Sequence, residues 1–233
     1  MARRKVAEPV GIENVSKLWE YLTPEQRAYL SRNYTIRHYR KNEIIYSEGE
    51  TAQNVLCLAN GKVKILRDGI GGRSQIVRII KAVEYFGYRA VLAEEPYVTS
   101  AVAMENSTIY VVSGGVFVSF LKQNTEVAYY FVKALAVDLG IADSRSANLT
   151  QKHIRGRLAE SLLFLKDTYG YESDDATISV YLSREDLASL SNMTTSNAIR
   201  TLTVFANEKI ITVDGRKIKI IDEDRLKKIN NFG

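Results

Sequence analysis

The chain has 233 residues, 45% of them apolar and 25% charged, with a net charge of +5, enough for one large core or two modest ones and only mildly suited to a polyanionic partner. A single cysteine, Cys57, excludes an internal disulfide and any multi-thiolate zinc or iron–sulfur site built within one chain. The opening MARRKVAEPVGIENV has basic residues but no apolar run after them, and no charge-free stretch is long enough to cross a bilayer, so a soluble cytoplasmic protein with no membrane partner is expected.

In chain order, Ser16 to Arg32 reads as a short helical lead-in anchored by Leu18, Leu22 and Leu30. From about Tyr34 to Val112 the texture is β-rich and punctuated: YTIRHY, NEIIYSEGE, NVLCLANGKVKIL, the turn cluster RDGIGGR, SQIVRII, then SAVAM and STIYVV. Short strands parted by Gly, Asn and Asp predict an antiparallel sandwich or jelly roll. Cys57, inside VLCL, reads as a buried small hydrophobe.

From about Asn124 to Asn148 the alternation stops, and Val127, Tyr130, Ala134, Val137 and Ile141 recur at three- and four-residue steps, the spacing of a coiled-coil seam. A second stripe, Phe131, Leu135 and Leu139, lies on another face. A helix with two apolar stripes needs two surfaces, and one roll supplies only one. The simplest second surface is the same helix of a twin subunit; the other reading buries the helix in its own domain. After a break expected near Leu149 to Gln151, HIRGRLAESLLFLKDTYG begins a further helix closed by Gly170.

The polar run ESDDAT then leads to SREDLASLSNMTTSNAIRTLTVF, Ser183 to Phe205. Ser183, followed by Arg184, Glu185 and Asp186, caps a short helix ending near Ser191, and Thr194 caps a second one after the turn SNM. In that second helix Ile199, Leu202 and Phe205 are expected inward with Ala198 and Ala206, leaving Thr195, Ser196 and Arg200 polar near its start. KIITV, the pair Asp214-Gly215 and RKIKII read as a hairpin with a type I′ turn. Two helices on a short turn followed by a wing make a winged helix-turn-helix. Hydroxyls and amides at a helix start, here Ser183, Thr194, Thr195, Ser196 and Asn197, suit phosphates and base edges. Arg200 suits guanine, Arg216, Lys217 and Lys219 on the wing suit phosphates, and Arg184 is counted among the DNA-binding residues. The same module also serves elsewhere for docking proteins, so a sensing or docking module that touches no DNA stands as the alternative.

Taken together, an α+β chain with a roll over residues 1–123, a dimer helix and hinge over 124–150 and a winged helix-turn-helix over 151–233 resembles the cyclic-AMP receptor protein and Fnr family of bacterial transcription regulators. The marks are NEIIYSEGE with LCLANGKVKIL, FGYRAVLAEEPYVTSAVAMENSTIYVV around the effector pocket, and LSREDLASLSNMTTSNAIRTL in the reader. The resemblance implies no enzyme activity, a homodimer on a two-fold related double-stranded DNA site, and action on RNA polymerase.

It also implies an effector pocket, here Phe86, Gly87, Tyr88, Arg89, Thr99, Ser100 and, on the helix, Tyr130. Where cyclic-AMP-binding members carry Gly-Glu for the ribose, this chain has Gly87-Tyr88. Where they carry Arg-Ser or Arg-Thr for the phosphate, it has Val98-Thr99 or Thr99-Ser100, and the adenine-facing Thr-Ser falls at Ala142 and Asp143. A cyclic phosphate without a cation is costly to desolvate, so cyclic AMP is not expected. Arg89 either turns inward toward another anion or packs at the surface. The cysteine cluster of Fnr is missing, and His38 and His153, far apart in sequence, suit neither haem nor the metal of a cupin. The roll is expected to hold no cofactor, and either serves as an effector-free body or takes an unidentified small molecule.

Overall fold

The computed structural model describes residues 11–69 and 74–232. They fall into two compact units. One runs up to Asp68 and resumes over Val77–Leu139; the other runs from Gly140 onward and includes the short stretch ending at Ile76.

The first unit opens with α1 (Ile12–Val15), a 3-10 turn (Lys17–Tyr21) and α2 (Pro24–Leu30). A capping box starts α2: Thr23 Oγ1 accepts from Gln26 N, Gln26 Oε1 accepts from Thr23 N, and Pro24 takes the first helical position, where no N–H is needed. Leu18, Leu22 and Leu30 are buried as their spacing led one to expect.

The roll follows as β1 (Tyr34–Tyr39), β2 (Ile44–Tyr46), β3 (Asn54–Asn60), β4 (Val63–Asp68), β5 (Ser74–Ile80), β6 (Tyr85–Phe86), α3 (Tyr88–Ala93), β7 (Ser100–Ala103) and β8 (Ser107–Ser113). The strands form two four-stranded sheets, ordered β1-β8-β3-β6 and β2-β7-β4-β5. The central strand β3 explains the run VLCL. Leu56 and Leu58 point between the sheets, toward Ile65, Ile109 and Val111, while Val55 and Cys57 point the other way, into a cluster formed with the flanking helices. A strand covered on both faces has no polar alternation to keep.

Two helices close this unit. The first, α4 (Gly114–Gln123), is not signalled by its Gly-Gly start. At Gly114 the chain passes so close to its neighbours that a Cβ would stand 2.9 Å from Val91 and 3.0 Å from the Gln53 carbonyl. Asn124 then breaks the helix and starts the next: its Oδ1 accepts from Glu126 N and Val127 N, and its Nδ2 donates to Tyr21 O and Gln26 Oε1. The 27-residue α5 (Thr125–Gln151) contributes residues up to Leu139 to the first unit and those beyond to the second.

In the second unit, α6 (Ile154–Tyr169) ends where Gly170, at φ +72°, donates its N–H to Lys166 O. Next come α7 (Arg184–Leu190), α8 (Thr195–Asn207), the hairpin β9 (Ile211–Asp214) and β10 (Lys217–Ile220), and α9 (Glu223–Phe232). The hairpin differs from expectation. Asp214 pairs with Lys217, so the loop is Gly215-Arg216, and only Gly215 takes a positive φ. A type I′ turn needs two such residues, and the Arg216 side chain disfavours the second. Among the described residues no helix is long and apolar enough to cross a membrane.

Candidate nucleic-acid interface

The pair α7 and α8 is set by its caps. Ser183 Oγ accepts from Asp186 N at 2.9 Å and donates to Asp186 Oδ2 at 2.8 Å, and Thr194 Oγ1 accepts from Asn197 N at 3.2 Å. Ser183 and Thr194 thus cap the two helices as their positions predict; the Ser183 hydroxyl both accepts and donates within its own cap, whereas the Thr194 hydroxyl accepts there and keeps its own O–H to donate. Asn192 turns the chain between the helices in the left-handed region, at φ +47°, a conformation that asparagine tolerates better than most residues.

Along α8 the inward face is Ala198, Thr201, Leu202 and Phe205, a 3–4 spacing that buries one side of the rod. The outward face is Thr195, Ser196, Ile199, Arg200 and Thr203, all exposed, with Asn197 half-buried beside it. Ile199, expected inward, is 47% exposed, while Thr201 at 7% fills an inward position. The correction follows from the helical step: with Ala198 and Phe205 fixing the inward line, Ile199 falls about 100° off it.

Beside α8 stands the wing. Arg184 Nη2, named among the DNA-binding residues, donates to Gly215 O at 2.5 Å and so ties the hairpin tip to the start of α7. Lys217 Nζ lies 3.4 Å from Glu172 and over the Tyr181 ring, yet its side chain remains half exposed, and Lys219 pairs with Asp174 at 3.2 Å. Asp174 is held far below the usual carboxylate range, first by the Thr177 backbone N–H and then by the Thr177 hydroxyl. Arg216 is exposed at the tip.

The residues expected around an effector do not form one set. Arg89 is half exposed and paired with Glu95 at 3.1 Å. Ser100 Oγ accepts from Glu48 N, and Tyr130 packs on Tyr21 and Phe131. Phe86 is buried between the sheets, near a stacked pair, Tyr46 on Tyr97, at 3.8 Å. Thr99 hydrogen-bonds Tyr46, whose hydroxyl burial pushes up to about 12. Gly87 leads into α3, and Tyr88 points at α5: its hydroxyl donates to Asp138 Oδ2 at 2.8 Å, the oxygen that also accepts from Arg78 Nη1 at 2.6 Å. Burial, and then the Asp138 charge, push the Tyr88 hydroxyl up to about 12, so it remains a donor at neutral pH. Neither Arg78 nor Asp138 was singled out in the sequence. An arginine on a strand and an aspartate on a helix, 60 residues apart, carry no local pattern that would join them.

On α5 the faces sort differently from the expected seam. Val127, 0% exposed, lies in the roll's own core with Phe131, and Tyr130, Ala134 and Leu135 pack against that cluster. Exposed instead are Tyr129 at 68%, Val132 at 59% and Leu139 at 63%, with Ala136 between them; Val137 and Ile141 are exposed as well.

Comparison with known proteins bears on both units. Residues 36–124 match the family model of the cyclic nucleotide-binding domain, and residues 156–229 that of the Crp-like helix-turn-helix domain. The CRP-like cAMP-activated global transcriptional regulator of Mycobacterium tuberculosis is 23% identical over 90% of this chain and 94% of its own. The anaerobic regulatory protein of Bacillus subtilis is 25% identical over 77% of this chain and 76% of its own. Among solved structures, FixK2 from Bradyrhizobium japonicum superposes with a TM-score of 0.76 at 23% identity, covering 84% of this chain and 97% of that one.

Proposed function

From the premise that this chain belongs to the Crp/Fnr family of DNA-binding transcription regulators, not to an enzyme family, we propose that it works as a homodimer on a two-fold related DNA site and that its roll does not take cyclic AMP. The observation that carries the DNA reading is the outward face of α8, where Thr195, Ser196 and Arg200 stand exposed beyond a capped helix start. Such a helix start favours phosphate, and an arginine one turn in fits the N7 and O6 edge of guanine. Arg216 at the wing tip and the exposed part of Lys217 add phosphate contacts.

Pairing of subunits is supported by α5. Tyr129, Val132, Ala136 and Leu139 repeat at 3-4-3 steps on a face that the chain's own roll leaves uncovered, the geometry of a two-helix seam. This seam lies beside the stripe that the sequence suggested; of that stripe, Val137 and Ile141 remain available to a partner. Bound as a pair, the protein acts on RNA polymerase in the bacterial cytoplasm.

The reading without cyclic AMP rests on Arg78, Tyr88 and Asp138. Tyr88 stands where nucleotide-binding members place the ribose carboxylate, and Arg78, which shares Asp138 with it, already has a carboxylate. An incoming phosphate would have to displace Asp138 and leave it unpaired beside an anion. Titration calorimetry with cyclic AMP should give no heat of binding, and saturable micromolar binding would overturn this part. For the DNA part, duplexes are enriched from a randomised pool and tested by mobility shift across salt. A steep salt slope is expected. Arg200→Ala should weaken binding about 10- to 100-fold and relax preference at one base pair per half-site, as loss of one arginine–guanine pair does.

A further inference from the structure

The outward face of α8 holds one residue that recognition by hydrogen bonds does not use. Ile199 is 47% exposed, while on the same helix a threonine, Thr201, is 7% exposed. Burial alone would choose the opposite arrangement, since an isoleucine gains more than a threonine on leaving water. The other outward side chains beside it are Thr195, Ser196, Arg200 and Thr203. Thr203 Oγ1 donates back to Ile199 O at 3.0 Å, which takes that hydroxyl out of the outward donor set. The neighbourhood of Ile199 therefore offers an apolar surface beside a guanidinium. In the major groove the one apolar group on a base edge is the 5-methyl of thymine.

Resting on the DNA reading above, we infer that Ile199 reads a thymine through its 5-methyl group, next to the guanine read by Arg200. The half-site then carries an adjacent T·A and G·C pair. The thymine is discriminated by contact with the methyl and by the cost of setting an isoleucine against a cytosine amino group.

The test uses full-length protein and the duplex enriched from the randomised pool. Each thymine is replaced in turn by uracil, which removes only the methyl, and affinity is measured by fluorescence anisotropy for the unmodified protein and for Ile199→Ala. One thymine per half-site should respond, with about a fourfold loss per methyl removed. Ile199→Ala should bind the thymine duplex more weakly and should lose nothing further on uracil at that position. Because Ile199 is exposed, the variant should melt within a degree or two of the parent, which separates a reading defect from a folding one. Tight binding with no uracil-sensitive thymine overturns this inference alone, as does an Ile199→Ala variant that retains the full uracil penalty. A pool that yields no enriched duplex overturns the DNA reading together with it.

Discussion

Asp138 collects two donors on one oxygen, Arg78 at 2.6 Å and Tyr88 at 2.8 Å, with about a third of each charged side chain exposed. Arg89 and Glu95 form a longer ion pair, 3.1 Å, with about half of each side chain in water. The two pairs should answer differently to deletion. Asp138→Ala strands a partly buried guanidinium and a buried tyrosine hydroxyl, and after discounting for solvent screening should cost about 1–2 kcal/mol. Arg89→Ala should fall within about 0.5 kcal/mol of the parent. Urea unfolding followed by tyrosine fluorescence compares them, and equal costs would show that the Asp138 cluster is an ordinary surface contact. At this scale the sequence was a partial guide. The motif at Gly87-Tyr88 marks the place, but the arginine next to it in sequence, Arg89, stays at the surface, and the one paired with Asp138 is Arg78 on a strand of the other sheet.

Elements were legible where one period dominated. Strand texture and turn residues marked the roll from Tyr34 to Val112, the caps Ser183 and Thr194 marked both reader helices, and Gly170 marked the end of α6. In α5 two apolar stripes compete, and composition alone does not say what the roll takes; it takes the first part of both, Val127, Tyr130 and Ala134 of one with Phe131 and Leu135 of the other, and leaves Val137, Leu139 and Ile141 exposed. A pair of substitutions separates the faces. Val132→Glu should place a charge in the proposed seam and halve the mass measured by light scattering, with the fold kept. Val127→Ala should leave the mass unchanged and cost about 2 kcal/mol of stability through lost burial and a small cavity. The reverse pattern would return the seam to the stripe through Val127. Helix α4 was missed because Gly-Gly reads as a breaker, when at Gly114 it records a close approach of the chain.

Across the whole molecule the order of roll, long helix and reader was legible, because each stretch has its own texture. The unit division at Leu139–Gly140 was not, since it falls inside one unbroken helix. Closure of the second unit depends on Glu223, where α9 meets α6: Lys166, Lys227 and Tyr171 all donate to it. Led by the Lys166 hydrogen bond, these partners lower its carboxyl from an ordinary 4.5 to about 2. A folded-state value below the unfolded one gives stability that is complete above about pH 4.5 and is lost as pH falls toward 2. Between pH 5.5 and 3 the urea midpoint of the parent should therefore drop further than that of Glu223→Gln, and parallel drops would remove Glu223 from the account.

The two-sided covering of β3 also isolates the chain's one thiol. Cys57 is 0% exposed, and burial pushes its thiol up to about 12, so alkylation requires the roll to open and the thiolate to form. Iodoacetamide added to the folded protein should therefore label at the rate of unfolding events, turning a residue with no part in recognition into a clock for the roll's opening. Mass spectrometry of quenched aliquots would read that clock, and modification within seconds in native buffer would mean that the sheet breathes far more than its packing implies.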